Sequence, residues 1–174
     1  MLDKLTVRRR GELGRIGELI AVEELSAHGF TAILLLRERN QIYPFADIYA
    51  EREGRKFWIS VKTRNKYRAN GTLNTRYKIP ANQTERAHDL EQAHPGADAA
   101  FIAISVVLSR KSCRCNEPPH SYSCYFGPLT ILTRRNGIGM REEERSLYEC
   151  FAENKPIPDN YDVSNLDSTR PRTA

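Results

Sequence analysis

A chain of 174 residues, 40% hydrophobic and 28% charged, has the size and composition of one folding unit whose core needs no disulfide or metal to hold it. Its apolar runs are too short to span a bilayer, and Arg8-Arg9-Arg10 leads into Gly11-Glu12-Leu13 instead of an apolar leader. The expectation is a cytoplasmic protein with no membrane partner and reduced thiols, its four cysteines forming no disulfide framework.

Leu2–Arg9 is left unassigned, and the first helix is read from Gly11 to His28, stopped by Gly29. Leu13, Ile16, Leu19, Ile20, Val22 and Leu25 lie on more than one side, so this helix should be substantially buried. At about 100° per residue Gly14, Gly17, Ala21 and Leu25 share a face suited to close packing on a sheet. Glu18 falls on that same face. It is either a functional carboxylate or a rim glutamate paired with a nearby arginine. Thr31–Leu36 reads as a core strand.

Phe45–Glu51 and Lys56–Thr63 read as a β-hairpin turned at Glu53-Gly54. Alternation sends Phe57, Ile59 and Val61 one way and Trp58, Ser60 and Lys62 the other. On the facing strand Ala46, Ile48 and Ala50 form the apolar set, which leaves Asp47 opposite Ser60 and Lys62. A carboxylate, a hydroxyl and an ammonium then share one face of the ribbon. The plain alternative is a strand-end lysine reaching solvent.

Asn65–Thr75 is a polar, basic segment with a turn signal at Asn70-Gly71, and Arg76–Ile79 is extended before Pro80. A helix follows over about Gln83–Ala93, ending before Pro95-Gly96. Ala99–Leu108 should be a central strand, and Tyr122–Thr133 a further strand interrupted at Gly127-Pro128. A charged helix over about Met140–Glu153 would give Leu147, Tyr148 and Phe151 to the core. The order helix, three strands, helix, two strands, helix makes an α/β fold, a mixed β-sheet flanked by helices. Residues 1–153 are expected to form the single domain, and 154–174 a loosely ordered tail.

Charge is concentrated. Gly54 to Thr84 contains no Asp or Glu but eight basic residues, enough to leave the rest of this +5 chain net acidic. Phe57, Trp58, Tyr67 and Tyr77, with Asn65, Asn70, Asn74, Asn82 and Gln83, are interleaved among them. Such a mixture suits a polyanion, with phosphate contacts, stacking and polar contacts side by side. A solvated basic loop without a partner is the plain alternative.

In order and spacing these residues resemble the PD-(D/E)XK nuclease superfamily, which includes restriction-endonuclease-like proteins and archaeal-type Holliday-junction resolvases. The resemblance covers roughly residues 10–135. It is carried by Gly17-Glu18 with Ala21, Leu25 and Gly29-Phe30; by Asp47 soon after Pro44; by Ile59-Ser60-Val61-Lys62; and by Tyr77-Lys78-Ile79-Pro80 before a helix near Gln83. It implies Mg²⁺- or Mn²⁺-dependent hydrolysis of DNA phosphodiesters, with RNA or branched DNA as further substrates and a homodimer when both strands are cut. By the same resemblance Asp47 is the central metal ligand, Glu18 a supporting one, the Val61 backbone carbonyl a third, and Lys62 the catalytic lysine. Arg64, Lys66, Arg68, Arg76 and Lys78 become phosphate contacts, and Gln83 a contact to lysine or substrate. Ser60 departs from the pattern, standing where the family carries Asp or Glu, so the site loses about one negative charge. The alternative is a nucleic-acid-binding protein that keeps the nuclease fold with weak or no cleavage.

One further motif lies at residues 112–125. Cys113, Cys115, His120 and Cys124 offer the four ligands of a structural zinc site, although the gap between the first two is shorter than usual. Cys150 is expected to pack in the core. A cysteine nucleophile paired with His28, His88, His94 or His120 finds no supporting local context.

Overall fold

The core is built around one strand, Ala97–Val107, in which every residue except Asp98 is buried. The computed structural model describes residues 4–39, 43, 45–68, 70–79, 82–108, 118–132 and 137–161. In chain order the elements are α1 (Lys4–Ala27), β1 (Thr31–Leu35), β2 (Ile48–Arg52), β3 (Arg55–Asn65), β4 (Arg76–Lys78), α2 (Asn82–Ala93), β5 (Ala97–Val107), β6 (Ser121–Pro128), β7 (Gly137–Gly139), α3 (Glu142–Arg145) and β8 (Glu149–Pro156). Six strands form a mixed sheet in the order β1-β2-β3-β5-β6-β8, with β3 and β5 parallel and the other neighbours antiparallel. Helix α2 is the crossover that a parallel β3–β5 pair requires. Strands β4 and β7 pair separately.

Two apolar layers cover the sheet. On one face Ile16, Ile20, Ala21 and Leu25 of α1 join a cluster with Ile48, Phe57, Ile59, Ile102 and Ile104. On the other, Ala87 and Leu90 of α2, with Tyr77 and Ile138 of the small sheet, join Trp58, Phe101 and Ala103. Gly17 sets how closely α1 approaches: a Cβ built there would lie 1.7 Å from Thr63 Oγ1 on β3. Gly14, one turn earlier, faces open space. The β2–β3 hairpin turns at Glu53 (φ 53) and Gly54 (φ 77), the paired left-handed conformations of a type I′ turn.

Several boundaries differ from those read along the chain. Helix α1 begins at Lys4. Strand β2 begins only at Ile48, so Ala46 leaves the alternation and joins the α2-side cluster. Strand β6 ends at Pro128, which has no N–H to donate, and the chain turns into a short 3-10 helix, Leu129–Leu132.

The helix expected over Met140–Glu153 is replaced by the four-residue α3 and by edge strand β8. The edge of β6 supplies backbone partners that a charged, weakly apolar helix cannot match, and Phe151 and Ala152 are buried there while Leu147 stays exposed. The stretch read as a loose tail from Asn154 is held in the fold as far as Tyr161. Asn154–Pro156 complete β8, Ile157 is buried, and the Tyr161 hydroxyl donates to Glu23 Oε1 at 2.6 Å. Residues 162–174 lie outside the described residues.

Candidate functional site

Asp47 sits one residue before β2, pinned by its own backbone: its N–H donates to Ile59 O (2.9 Å) and its carbonyl accepts from Leu36 N–H (3.1 Å). The half-buried carboxylate turns toward β3, where Oδ2 accepts from Val61 N–H at 2.7 Å and lies 3.3 Å from Ser60 Oγ. Ser60, only 2% exposed, also accepts from Lys62 Nζ at 2.8 Å. Lysine, serine and aspartate therefore form one hydrogen-bonded chain on the face that alternation assigns them.

Burial depresses the Lys62 pKa below the ordinary lysine range; attraction to Asp47 opposes that shift and repulsion from Arg64 adds to it. Within a strand the N–H and C=O of one residue lie along the same edge. Because Val61 N–H meets Asp47, the Val61 carbonyl also lies on the Asp47 side, beyond the end of β2.

A cleft of about 290 Å³ opens beside this chain. Leu13 and Gly14 of α1 form one wall, Val61 to Arg64 of β3 the floor, and Tyr77 and Lys78 of β4 the other wall. Below it Tyr77, 1% exposed, bonds through its hydroxyl to Ser105 Oγ at 2.6 Å. This buried pair holds β4 on β5.

Glu18 adjoins Gly17, whose close approach to Thr63 sets it at the α1–β3 seam. Its carboxylate is paired with Arg37, Nη2 to Oε2 at 3.3 Å, so the rim-glutamate alternative describes its present contact. Arg37 directly follows Leu36, whose N–H bonds the Asp47 carbonyl. The Glu18–Arg37 pair thus adjoins, along the chain, the backbone bond that ties Leu36 to Asp47. No sequence pattern singled out Arg37, because the pairing spans β1 and the helix before it.

The basic residues divide by contact. Arg64, Arg68, Arg76 and Lys78 are exposed. Arg76 faces Glu144 at 3.8 Å, and Lys66 is half-buried with Nζ on Asn154 Oδ1 at 3.0 Å, so these two brace the fold. Gln83 lies in the first turn of α2, its amide oxygen buried without a hydrogen-bond partner.

Of the four residues of the zinc reading, Cys124 and His120 lie among the described residues. Cys124 is fully buried in the α1-side core, where burial pushes its thiol well above the ordinary range. His120 is exposed at the entry to β6, and Cys113 and Cys115 lie outside the described residues. Cys150, expected in the core, is exposed on β8.

Among the described residues no three His, Cys, Asp or Glu side chains come together. The oxygen donors that meet at β3 are the Asp47 carboxylate and the Val61 carbonyl, while Glu18 faces Arg37. An all-oxygen set with few charges fits a hard divalent cation that keeps several of its waters.

No protein-family model and no curated protein matches the sequence. The fold is similar to that of a Holliday junction resolvase, Hjc, from the archaeal hyperthermophile Archaeoglobus fulgidus, at a TM-score of 0.51 and 21% identity over 78% of this chain and 93% of that one. The chain has a restriction-endonuclease-like fold, with the mixed sheet flanked by helices that the resemblance implied, though the sheet has six strands where five were read. No helix among the described residues is long and apolar enough to cross a membrane.

Proposed function

We propose that this chain, starting from a nuclease fold, is a divalent-metal-dependent endonuclease that hydrolyses phosphodiester bonds in DNA. The observation that carries this reading is the Lys62–Ser60–Asp47 hydrogen-bonded chain beside a basic cleft. Asp47 and the Val61 carbonyl would hold Mg²⁺ or Mn²⁺, with Glu18 as a supporting ligand. When bound, the ion polarises the phosphate and lowers the pKa of a coordinated water. Lys62 offsets the charge that develops on the phosphate oxygens. Ser60 fixes the height of Lys62 above Asp47. Arg64 and Lys78 at the cleft, with Arg68 farther out, grip backbone phosphates without reading sequence. The archaeal structure is named for the Holliday junction, so a four-way junction belongs among the substrates tested here. Cutting both strands calls for two sites and hence a homodimer.

A second reading, binding without cleavage, is favoured by one observation: the position that would supply another carboxylate is the neutral, buried Ser60. Nicking of supercoiled plasmid, a four-way junction, linear duplex and RNA in Mg²⁺ or Mn²⁺ separates the two. Cleavage by wild type that Asp47→Ala and Lys62→Ala abolish supports the enzyme. Salt-sensitive binding by all three proteins, with no product from any substrate, establishes the second reading instead.

A further inference from the structure

We infer that Gly14 is a specificity-determining residue: by leaving the α1 wall of the cleft without a side chain, it makes room for the sugar–phosphate backbone of one DNA strand. The inference rests on the reading of this cleft as the place where DNA binds. Its geometric basis is independent of that reading: Gly14 lines the cleft, and a Cβ built on it would meet nothing within 4 Å among the described residues.

Glycine is the poorest helix former after proline, and Gly14 lies well inside α1. At Gly17, one turn on, the fold itself requires the glycine, because Thr63 on β3 occupies the space a side chain would need. At Gly14 no part of the fold makes that demand. The open side of the residue is the cleft, so what needs the missing side chain enters from there. Glycine is the residue that lets a ligand come close to the protein backbone.

The rest of the lining selects for an anionic chain. Lys78 stands on the β4 wall, Lys62 and Arg64 belong to the β3 floor, and no acidic side chain lines the cleft among the described residues. Phosphates fit the cationic side, which leaves the sugars against Leu13 and Gly14. A volume of about 290 Å³ lies at the lower end of the range that holds a small molecule, enough for the backbone of one strand and too little for a base pair. A side chain at position 14 would compete with the sugar for that volume. Arg68, exposed and outside the lining, would not sense it.

Fluorescence anisotropy of a labelled single-stranded oligonucleotide and of a short duplex, in metal-free buffer, tests this without reference to turnover. Gly14→Leu should weaken binding of both about tenfold, and Gly14→Ala by less, while urea denaturation finds both variants at least as stable as wild type. Gly11 is equally open and lies one turn earlier on α1, outside the cleft lining, so Gly11→Leu should leave affinity within about twofold. Wild-type affinity in a stable Gly14→Leu, or equal losses at Gly11 and Gly14, overturns the inference and leaves DNA binding by the chain intact. Lower stability in both Gly14 variants overturns the open wall on which it stands. Wild type that binds neither oligonucleotide removes the reading of the cleft and the inference with it.

Discussion

Two glycines on the same helix, three residues apart, should answer in opposite directions to the same substitution. A Cβ on Gly17 would lie 1.7 Å from Thr63 Oγ1, 2.8 Å from its Cβ and 3.1 Å from its Cγ2, with ordinary contact beginning near 3.4 Å. Rotating Thr63 moves Oγ1 and Cγ2 but not Cβ, so no rotamer clears the overlap and α1 must back away from β3. Overpacking of this kind costs about 3 kcal/mol, the upper part of the usual range. Alanine returns about 1 kcal/mol of helix propensity. The net loss is about 2 kcal/mol, or a fall in Tm of roughly 4–8 °C for a chain of this size.

Gly14 has nothing within 4 Å of the same atom, so Gly14→Ala keeps only the propensity gain and should stabilise by about 1 kcal/mol. Urea denaturation of both variants measures the difference. Adding Thr63→Ala to Gly17→Ala should recover part of the loss, since the Cβ contact remains. If Gly17→Ala equals or exceeds wild type in stability, the close seating of α1 on β3 is wrong, and with it the placement of Glu18.

Ser60→Glu restores a carboxylate beside Asp47 at a buried position; it should lower Tm without metal and then gain about 2.7 kcal/mol with Mn²⁺ at a hundredfold excess over Kd. Scanning fluorimetry with and without the ion reads this, and a variant that Mn²⁺ does not stabilise would argue against metal binding at Asp47. Lys62 is held below its ordinary pKa of 10.5 mainly by burial, so between the depressed value and 10.5 the unfolded chain keeps a proton that the native one has lost. Stability should therefore rise with pH through that window, and Lys62→Met should abolish the rise; parallel urea midpoints for both proteins up to pH 10.5 would contradict it.

Glu24, 1% exposed, accepts from the Tyr122 hydroxyl and the Lys155 ammonium, each at 2.6 Å. Glu24→Ala strands that buried hydroxyl and should cost about 3 kcal/mol in urea denaturation. The neighbouring Glu23→Ala should stay within about 0.5 kcal/mol, because Glu23 meets Tyr161 at the exposed surface. Equal effects at the two positions would refute the buried network.

Much of the site was legible because it depends on local periodicity. A strand alternates with period two, so Ser60 and Lys62 had to share a face, and the hairpin turn at Glu53-Gly54 fixed the register that brings Asp47 opposite them. The small residues on the first helix likewise announced a close approach, although only Gly17 of the two glycines makes it. Local pattern misled where partners are distant. Leu147, Tyr148 and Phe151 carry helical spacing, yet that stretch pairs as a strand because the free edge of β6 meets it in space. The burial of Cys124 likewise comes from residues distant in sequence, among them Ile20, Leu25 and Ile104, which share its core.

By itself the sequence determined the α/β order of elements, the polar face of the hairpin and the acid-free basic run, since each follows from residues adjacent along the chain. Tertiary structure alone decided which cations are free and which are spoken for. Lys66 rests on Asn154, Arg76 on Glu144, and Glu18 is held by Arg37 from across β1. Pairings between side chains on different elements depend on how those elements pack, and no pattern along one element encodes them.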